Sequence, residues 1–211
     1  MAMDKLDYKK AYRDLYQPGR TPALIQVPEM TFLSVEGQGD PAGATYQQAL
    51  SVLYALAFSI KMSKLGGDIP EGYFEYVVPP LEGLWWCGQS GLDLATPRHQ
   101  WQWLSLIRQP EFVTPAVFER AQTSCRRKKP ELPVDRAKLI RLEEGLCAQI
   151  MHVGPYAAET ATLSALRAWI AEQRLVEETG AVRRHHEIYL SDPRKTAPER
   201  MKTVLRLPVR G

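Results

Sequence analysis

The sequence predicts an α+β fold built by tandem duplication of a strand–helix–strand–strand module, with a ligand cleft between the two halves. Three observations predict it. The order strand, Gly turn, long helix, strand, strand runs over about residues 30–108 and recurs over about 146–209. Each long helix carries a wide apolar stripe. The closing strands are alike, Leu106-Ile107-Arg108-Gln109-Pro110 against Leu205-Arg206-Leu207-Pro208. Two such units, each a curved sheet with a helix on its back, would pair edge to edge and leave a cleft, the usual place for a ligand. The chain then reads as one domain over residues 1–211: an arm at 1–22, a first module at about 23–110, a linker helix at about 111–136 and a second module at about 137–211.

Each element has a local reason. Asp4 to Tyr16 is a short amphipathic arm, ended by Gln17-Pro18-Gly19-Arg20-Thr21-Pro22. It packs on the body or serves as a lid. Met30 to Glu36 alternates and is a strand. Ala44 to Leu65 is a helix with Ala49, Leu50, Leu53, Leu56, Ala57, Ile60 and Met62 on its apolar side, stopped by Gly66-Gly67. Tyr73 to Val78, Leu84 to Cys87 and Trp101 to Arg108 follow as extended pieces. Thr114 is placed to cap a helix that opens on Pro115 and runs to about Cys125. In the second half, a strand near Leu146 to His152 and the turn Gly154-Pro155 precede a helix from Tyr156 to Leu175. His185 to Leu190 and Thr203 to Val209 are the closing strands.

Composition excludes several classes. With 45% hydrophobic and 24% charged residues, the 211-residue chain is ordinary globular material. The net charge of +3 is small, and the one basic run, Arg126-Arg127-Lys128-Lys129, suits a helix C-terminus, so no nucleic-acid partner is expected. Cys87, Cys125 and Cys147 are widely spaced and suit reduced thiols in a cytoplasmic protein. No apolar core marks a secretory signal at the N-terminus, and no run of about 18 apolar residues marks a membrane span. His185 and His186 are adjacent and point to opposite faces of a strand, while His99 and His152 have no partner at ligand spacing. No metal site and no cofactor are expected. Gly37-Gln38-Gly39 lacks the rest of a phosphate-binding fingerprint.

Chemistry concentrates in His185-His186-Glu187-Ile188-Tyr189. In extended form His185, Glu187 and Tyr189 share one face, while His186, Ile188 and Leu190 share the other. Glu187 is then either a solvated surface acid or the acid of an apolar cleft, where desolvation raises a carboxyl pKa and suits it to general-base work. Tyrosine hydroxyls are hydrogen-bond donors at neutral pH, and Tyr156 and Tyr189 are the candidates. Four of the five tryptophans, Trp85, Trp86, Trp101 and Trp103, fall close together. Each fills the core or walls a site by stacking and cation–π contact. Trp86 and Trp103 are favoured as walls, and Trp169 as core.

These residues resemble those of the GyrI-like small-molecule-binding domains. The resemblance covers nearly the whole chain. It rests on Glu187 and Tyr189 in HHEIYLSDPRKT, on Trp101 and Trp103 in WQWLSLIRQPEFVT, and on Val153-Gly154-Pro155-Tyr156. It implies paired modules around a pseudo-two-fold cleft. It is strongest to stand-alone proteins that look like hydrolases of strained or electrophilic small molecules, including cyclopropane-bearing compounds. Relatives fused to transcription regulators use a glutamate and aromatics in the same cleft to hold cationic drugs. The short stretch before the first strand leaves no room for a helix-turn-helix unit, so a stand-alone enzyme or a stand-alone binder is expected. The resemblance implies Glu187 as general base, with Tyr156 or Tyr189 as hydrogen-bond donor. It implies Trp86, Trp103, Trp101, Trp85 and His185 as ligand contacts.

Overall fold

A computed structural model describes residues 5–67, 69–89, 91–180 and 182–211. The arm holds two short helices, α1 (Tyr8–Ala11) and α2 (Arg13–Tyr16). The first half continues with β1 (Ala23–Val27), β2 (Met30–Gln38), α3 (Ala44–Lys61), β3 (Leu81–Trp86) and β4 (Gln102–Arg108). Then come α4 (Pro115–Lys128), β5 (Lys138–Leu142), β6 (Gly145–Val153), α5 (Glu159–Glu172), β7 (Val176–Glu177), β8 (His185–Tyr189) and β9 (Lys202–Arg210).

The strands form one antiparallel sheet in the order β1-β6-β9-β8-β3-β4-β2-β5, with β7 paired to β9. The duplication is visible in this order. In the first module β2, α3, β3 and β4 give the spatial order β3-β4-β2, and in the second β6, α5, β8 and β9 give β8-β9-β6. The modules meet where their middle strands pair, Leu81–Trp85 against Tyr189–His185. The strand that leads each module crosses over: β1 pairs with β6, and β5 pairs with β2. Neither leading strand is anticipated by the sequence reading, because each is short and stops at an acidic kink, Pro28-Glu29 or Glu143-Glu144.

Local chemistry sets the element ends. The Thr114 hydroxyl accepts from the Val117 amide at 3.3 Å, with Pro115 at the first helical position. The α3 helix buries Ala49, Leu53, Leu56, Ala57 and Ile60 as expected, but it ends at Lys61 in a short 3-10 turn closed by Gly67 at φ +76°. Met62 therefore falls outside the helix and is exposed. The second long helix starts at Glu159 instead of Tyr156, since Tyr156–Ala158 forms a separate 3-10 turn after Gly154-Pro155. Tyr73 to Val78 is not a sheet strand. Among the described residues its one ladder contact is a parallel bridge from Tyr76 to Leu6 of the arm, and Pro79-Pro80 cannot donate the amides needed to continue it.

Register divides the sheet into two faces. Gly83, Glu187, Leu205 and Ile150 lie in one row, as do Trp103, Trp85 and His185 in the next. This front face carries both long helices. Ala148, Ile150, Leu205 and Leu207 pack against Leu163, Leu166 and Ile170 of α5, and Trp103 meets Tyr46 of α3 edge-on at 4.9 Å. The back face carries Glu82, His186, Ile188, Gln149 and Arg206 and is covered by the arm. Tyr16 donates to Glu82 at 3.2 Å, Gln149 to the Asp14 carbonyl at 2.6 Å, and Arg206 to the Leu15 carbonyl at 2.8 Å. The Arg108 guanidinium stacks on the rings of Tyr8 and Tyr12. The arm is thus a packed cover for the back face and lies away from Glu187. Ile188 ties its strand to this arm-side core and not to α5.

Gly37 faces the ring of Trp103 across the β2–β4 ladder. A Cβ there would come within 2.3 Å of that ring. Gly37→Ala is expected to cost about 1–3 kcal/mol through overpacking. A urea midpoint equal to the wild type would show that the ring has room to retreat.

Candidate active site at the module seam

The middle strand β8 places His185, Glu187 and Tyr189 on the front face, as its alternation predicts. They form one chain of hydrogen bonds. Trp85 Nε1 donates to the Tyr189 hydroxyl at 2.9 Å, and that hydroxyl donates to Glu187 Oε2 at 2.8 Å. His185 Nε2 lies 3.0 Å from Glu187 Oε1. Both carboxylate oxygens are therefore held, and Glu187 is only 8% exposed. Gly83 makes the arrangement possible: it sits opposite Glu187, and a Cβ there would reach 2.7 Å from Trp85 Nε1 and 3.2 Å from the Tyr189 hydroxyl.

Aromatic rings enclose this carboxylate from both modules. Tyr46 of α3 lies 5.6 Å from Trp85. Tyr156, in the turn before α5, meets the Tyr189 ring edge-on at 5.8 Å. Trp101 stands edge-on to Trp85 at 5.9 Å, its N–H bonded to the Thr96 carbonyl. Trp103 is wholly buried and backs Tyr46. Trp86 does not share this wall: one residue past Trp85, it points to the back face, where Arg184 stacks on it at 4.3 Å. His185, expected as a ligand contact, is buried and bonded to Glu187.

Burial and acidic neighbours keep the phenols protonated. Desolvation, reinforced by the charges of Glu159 and Glu187, pushes the Tyr156 hydroxyl up to about 12. Burial, then the charge of Glu187, raises Tyr189 well above its ordinary value. Tyr189 has its proton committed to Glu187, whereas Tyr156 is 41% exposed and stands outside this chain of bonds.

Two members of the site escape sequence reading. Tyr46 lies in the first turn of α3, where it looks like one more apolar-face residue. Glu159 opens α5, where an acid is the ordinary partner of a helix dipole. Yet Glu159 is 94% buried by its 6% exposure, and its Oε1 has no hydrogen-bond partner among the described residues. Desolvation first, and the negative charge of Glu187 second, push its carboxyl up to about 9. Two surface hollows, about 550 Å³ along α4 and about 520 Å³ lined by Val153, Lys195, Thr196, Arg200 and Lys202, include none of these residues in their walls. Among the described residues no group of three or more His, Cys, Asp and Glu side chains could hold a metal ion, and no helix is long and apolar enough to cross a membrane.

Residues 102–210 match the family model of the GyrI-like small molecule binding domain. A solved structure described as a hydrolase from Listeria innocua is 50% identical, covers 98% of this chain and 100% of its own, and superposes with a TM-score of 0.90. An uncharacterized conserved protein from Listeria innocua is 51% identical over 98% of this chain and 100% of its own, with a TM-score of 0.93. The EcmrR C-terminal domain shares the fold alone, at 11% identity over 90% of this chain and 97% of its own, with a TM-score of 0.50. Among curated proteins none matches in sequence.

Proposed function

This chain belongs to the GyrI-like small-molecule-binding domain family, and from that premise we propose that it is a hydrolase. It adds water to small, apolar, electrophilic compounds such as activated cyclopropanes. The observation that supports this most is Glu187, a carboxylate fixed at both oxygens by His185 and Tyr189 beneath a roof of aromatic rings. The similarity to a Listeria innocua protein described as a hydrolase points the same way.

Glu187 takes a proton from water as the water oxygen attacks the electrophilic carbon. The bond from that carbon to the departing atom breaks, and the departing atom keeps the electron pair and takes up a proton. Tyr189 orients the carboxylate, since its own proton is already given to Oε2. Tyr156 is the hydroxyl free to hydrogen-bond the charge that develops on the substrate. Trp85, Trp101 and Tyr46 supply stacking surface, which holds an aromatic or flat substrate.

A second reading uses the same walls without chemistry. A carboxylate ringed by Trp85, Tyr46 and Tyr156 also suits a cationic aromatic ligand. Incubation of the protein with a panel of electrophiles (strained rings, isothiocyanates, esters), followed by mass spectrometry for addition of water, separates the two. Hydrated product above background supports the hydrolase. Background turnover with all of them, beside tight binding of organic cations, leaves the binder.

A further inference from the structure

We propose that Glu159, buried at the start of α5, is the proton donor of this site: its carboxyl gives a proton to the atom leaving the attacked carbon. This rests on the hydrolase reading above. The first support is placement. Glu159 comes from the second module's helix and Glu187 from the seam strand, and the two lie close enough for the charge of Glu187 to act on the Glu159 carboxyl. The second support is the state of their hydrogen bonds. Both Glu187 oxygens are occupied by His185 and Tyr189, while Glu159 Oε1 is buried without a partner. The buried Thr203 hydroxyl on the neighbouring strand is the one polar side chain beside it that acts on Glu159 through a hydrogen bond. Buried polar atoms are ordinarily satisfied, and exceptions cluster where function needs them.

The charges around Glu159 favour its neutral form. Glu187 is the charged neighbour that acts on it, from β8. Tyr189 on the same strand and Tyr156 in the preceding turn are neutral phenols, both raised by burial first and by the acids second. Thr203 from β9 opposes the shift, more weakly than burial and Glu187 favour it. Two nearby carboxyls in an apolar site cannot both ionise cheaply, so one holds the proton. The reaction then balances. Water loses a proton to Glu187, the departing atom gains one from Glu159, and the proton on Glu187 returns to Glu159 before the next cycle. Tyr156 only hydrogen-bonds the departing atom, since a phenol held near 12 is the weaker proton source of the two.

Two measurements test this. The first needs no substrate: the side-chain carboxyls of ¹³C-glutamate-labelled protein are titrated by NMR, in wild type and Glu159→Gln. A resonance that stays protonated through pH 7 and vanishes in Glu159→Gln is expected, and titration of Glu159 below pH 6 would overturn the proposal. The second is the pH profile of kcat/KM on whichever panel member is hydrolysed. The wild type should lose activity on the alkaline side. Glu159→Gln should lose about 10²-fold or more in kcat together with that alkaline limb, and Glu159→Asp should keep the limb at a reduced rate. Unchanged kcat and limb in a folded Glu159→Gln would also overturn it. If wild type hydrolyses nothing, the donor role falls with the hydrolase reading. A neutral Glu159 in the titration then locates the failure in that reading, not in the carboxyl pair.

Discussion

Glu187→Gln is expected to lower turnover of a hydrolysed substrate by about 10²–10⁴-fold, the range for loss of a general base. The substitution keeps shape and leaves an oxygen to accept from Tyr189, so neutral ligands should still bind with nearly unchanged affinity. KM should therefore move little while kcat collapses, as for an interaction that acts in the transition state. A pure binder behaves otherwise. Its affinity for cations would fall when the carboxylate is lost, and no hydrated product would form with either protein. Stopped-time mass spectrometry for product, with fluorescence quenching of the tryptophans for affinity, reads both quantities. Equal turnover in the two proteins would remove Glu187 from the chemistry. Tyr189→Phe should give a smaller loss, because it frees Glu187 Oε2 without removing the base.

The largest expected effect on stability lies on the opposite face. Arg206 is 1% exposed and donates to Gln149, to Glu144 at 2.9 Å and to the Leu15 carbonyl at 2.8 Å. His186 lies 3.0 Å from both Glu144 and Glu82. Two carboxylates and two cations thus neutralise one another beneath the arm. Arg206→Met keeps most of the volume but leaves Glu144 and the Leu15 carbonyl short of a partner. Breaking a buried pair in this way costs about 3–5 kcal/mol. Urea unfolding should show that loss, and limited proteolysis should cut within the arm sooner than in wild type. A cost below about 1 kcal/mol would mean that the network behaves like a surface pair.

The same network sets a pH dependence. Burial alone would lower the His186 pKa, but Glu144 and Glu82 overcome it and hold it at about 9, above an ordinary 6.5. Its contribution, about 3 kcal/mol, is complete below pH 6.5 and fades as pH rises through 9. Burial alone would raise Glu144, but His186 and Arg206 hold it down at about 2. Its contribution is complete above an ordinary 4.5 and is lost as pH falls through 2. A urea midpoint that declines between pH 7 and 10, and less so in His186→Asn, is the expected result. A flat profile would place the proton elsewhere.

Much of the fold was legible because it rests on local periodicity. The two long helices follow from 3.6-residue stripes, the cap at Thr114 from one hydroxyl before a proline, and the face shared by His185, Glu187 and Tyr189 from alternation alone. The strands β1 and β5 were not legible, since only two residues separate each from the strand that follows, and the two read as one extended run. Tyr73 to Val78 misled for another reason: its composition suits a strand, but among the described residues it pairs only at Tyr76 with Leu6 of the arm, and Pro79-Pro80 lack the amides to continue a ladder.

What the sequence determined by itself is the duplicated module and the side of β8 on which Glu187 stands. Both depend on residue order within a few turns or pleats. What only the tertiary structure decided is the company Glu187 keeps. Trp85 and Trp86 are neighbours in the chain, yet register sends one to the site and the other to the back face. Glu159 and Tyr46 are unremarkable helix-start residues until two modules close across one seam. A carboxyl's protonation and a ring's partner depend on distances between elements far apart in the chain, and no local pattern encodes those distances.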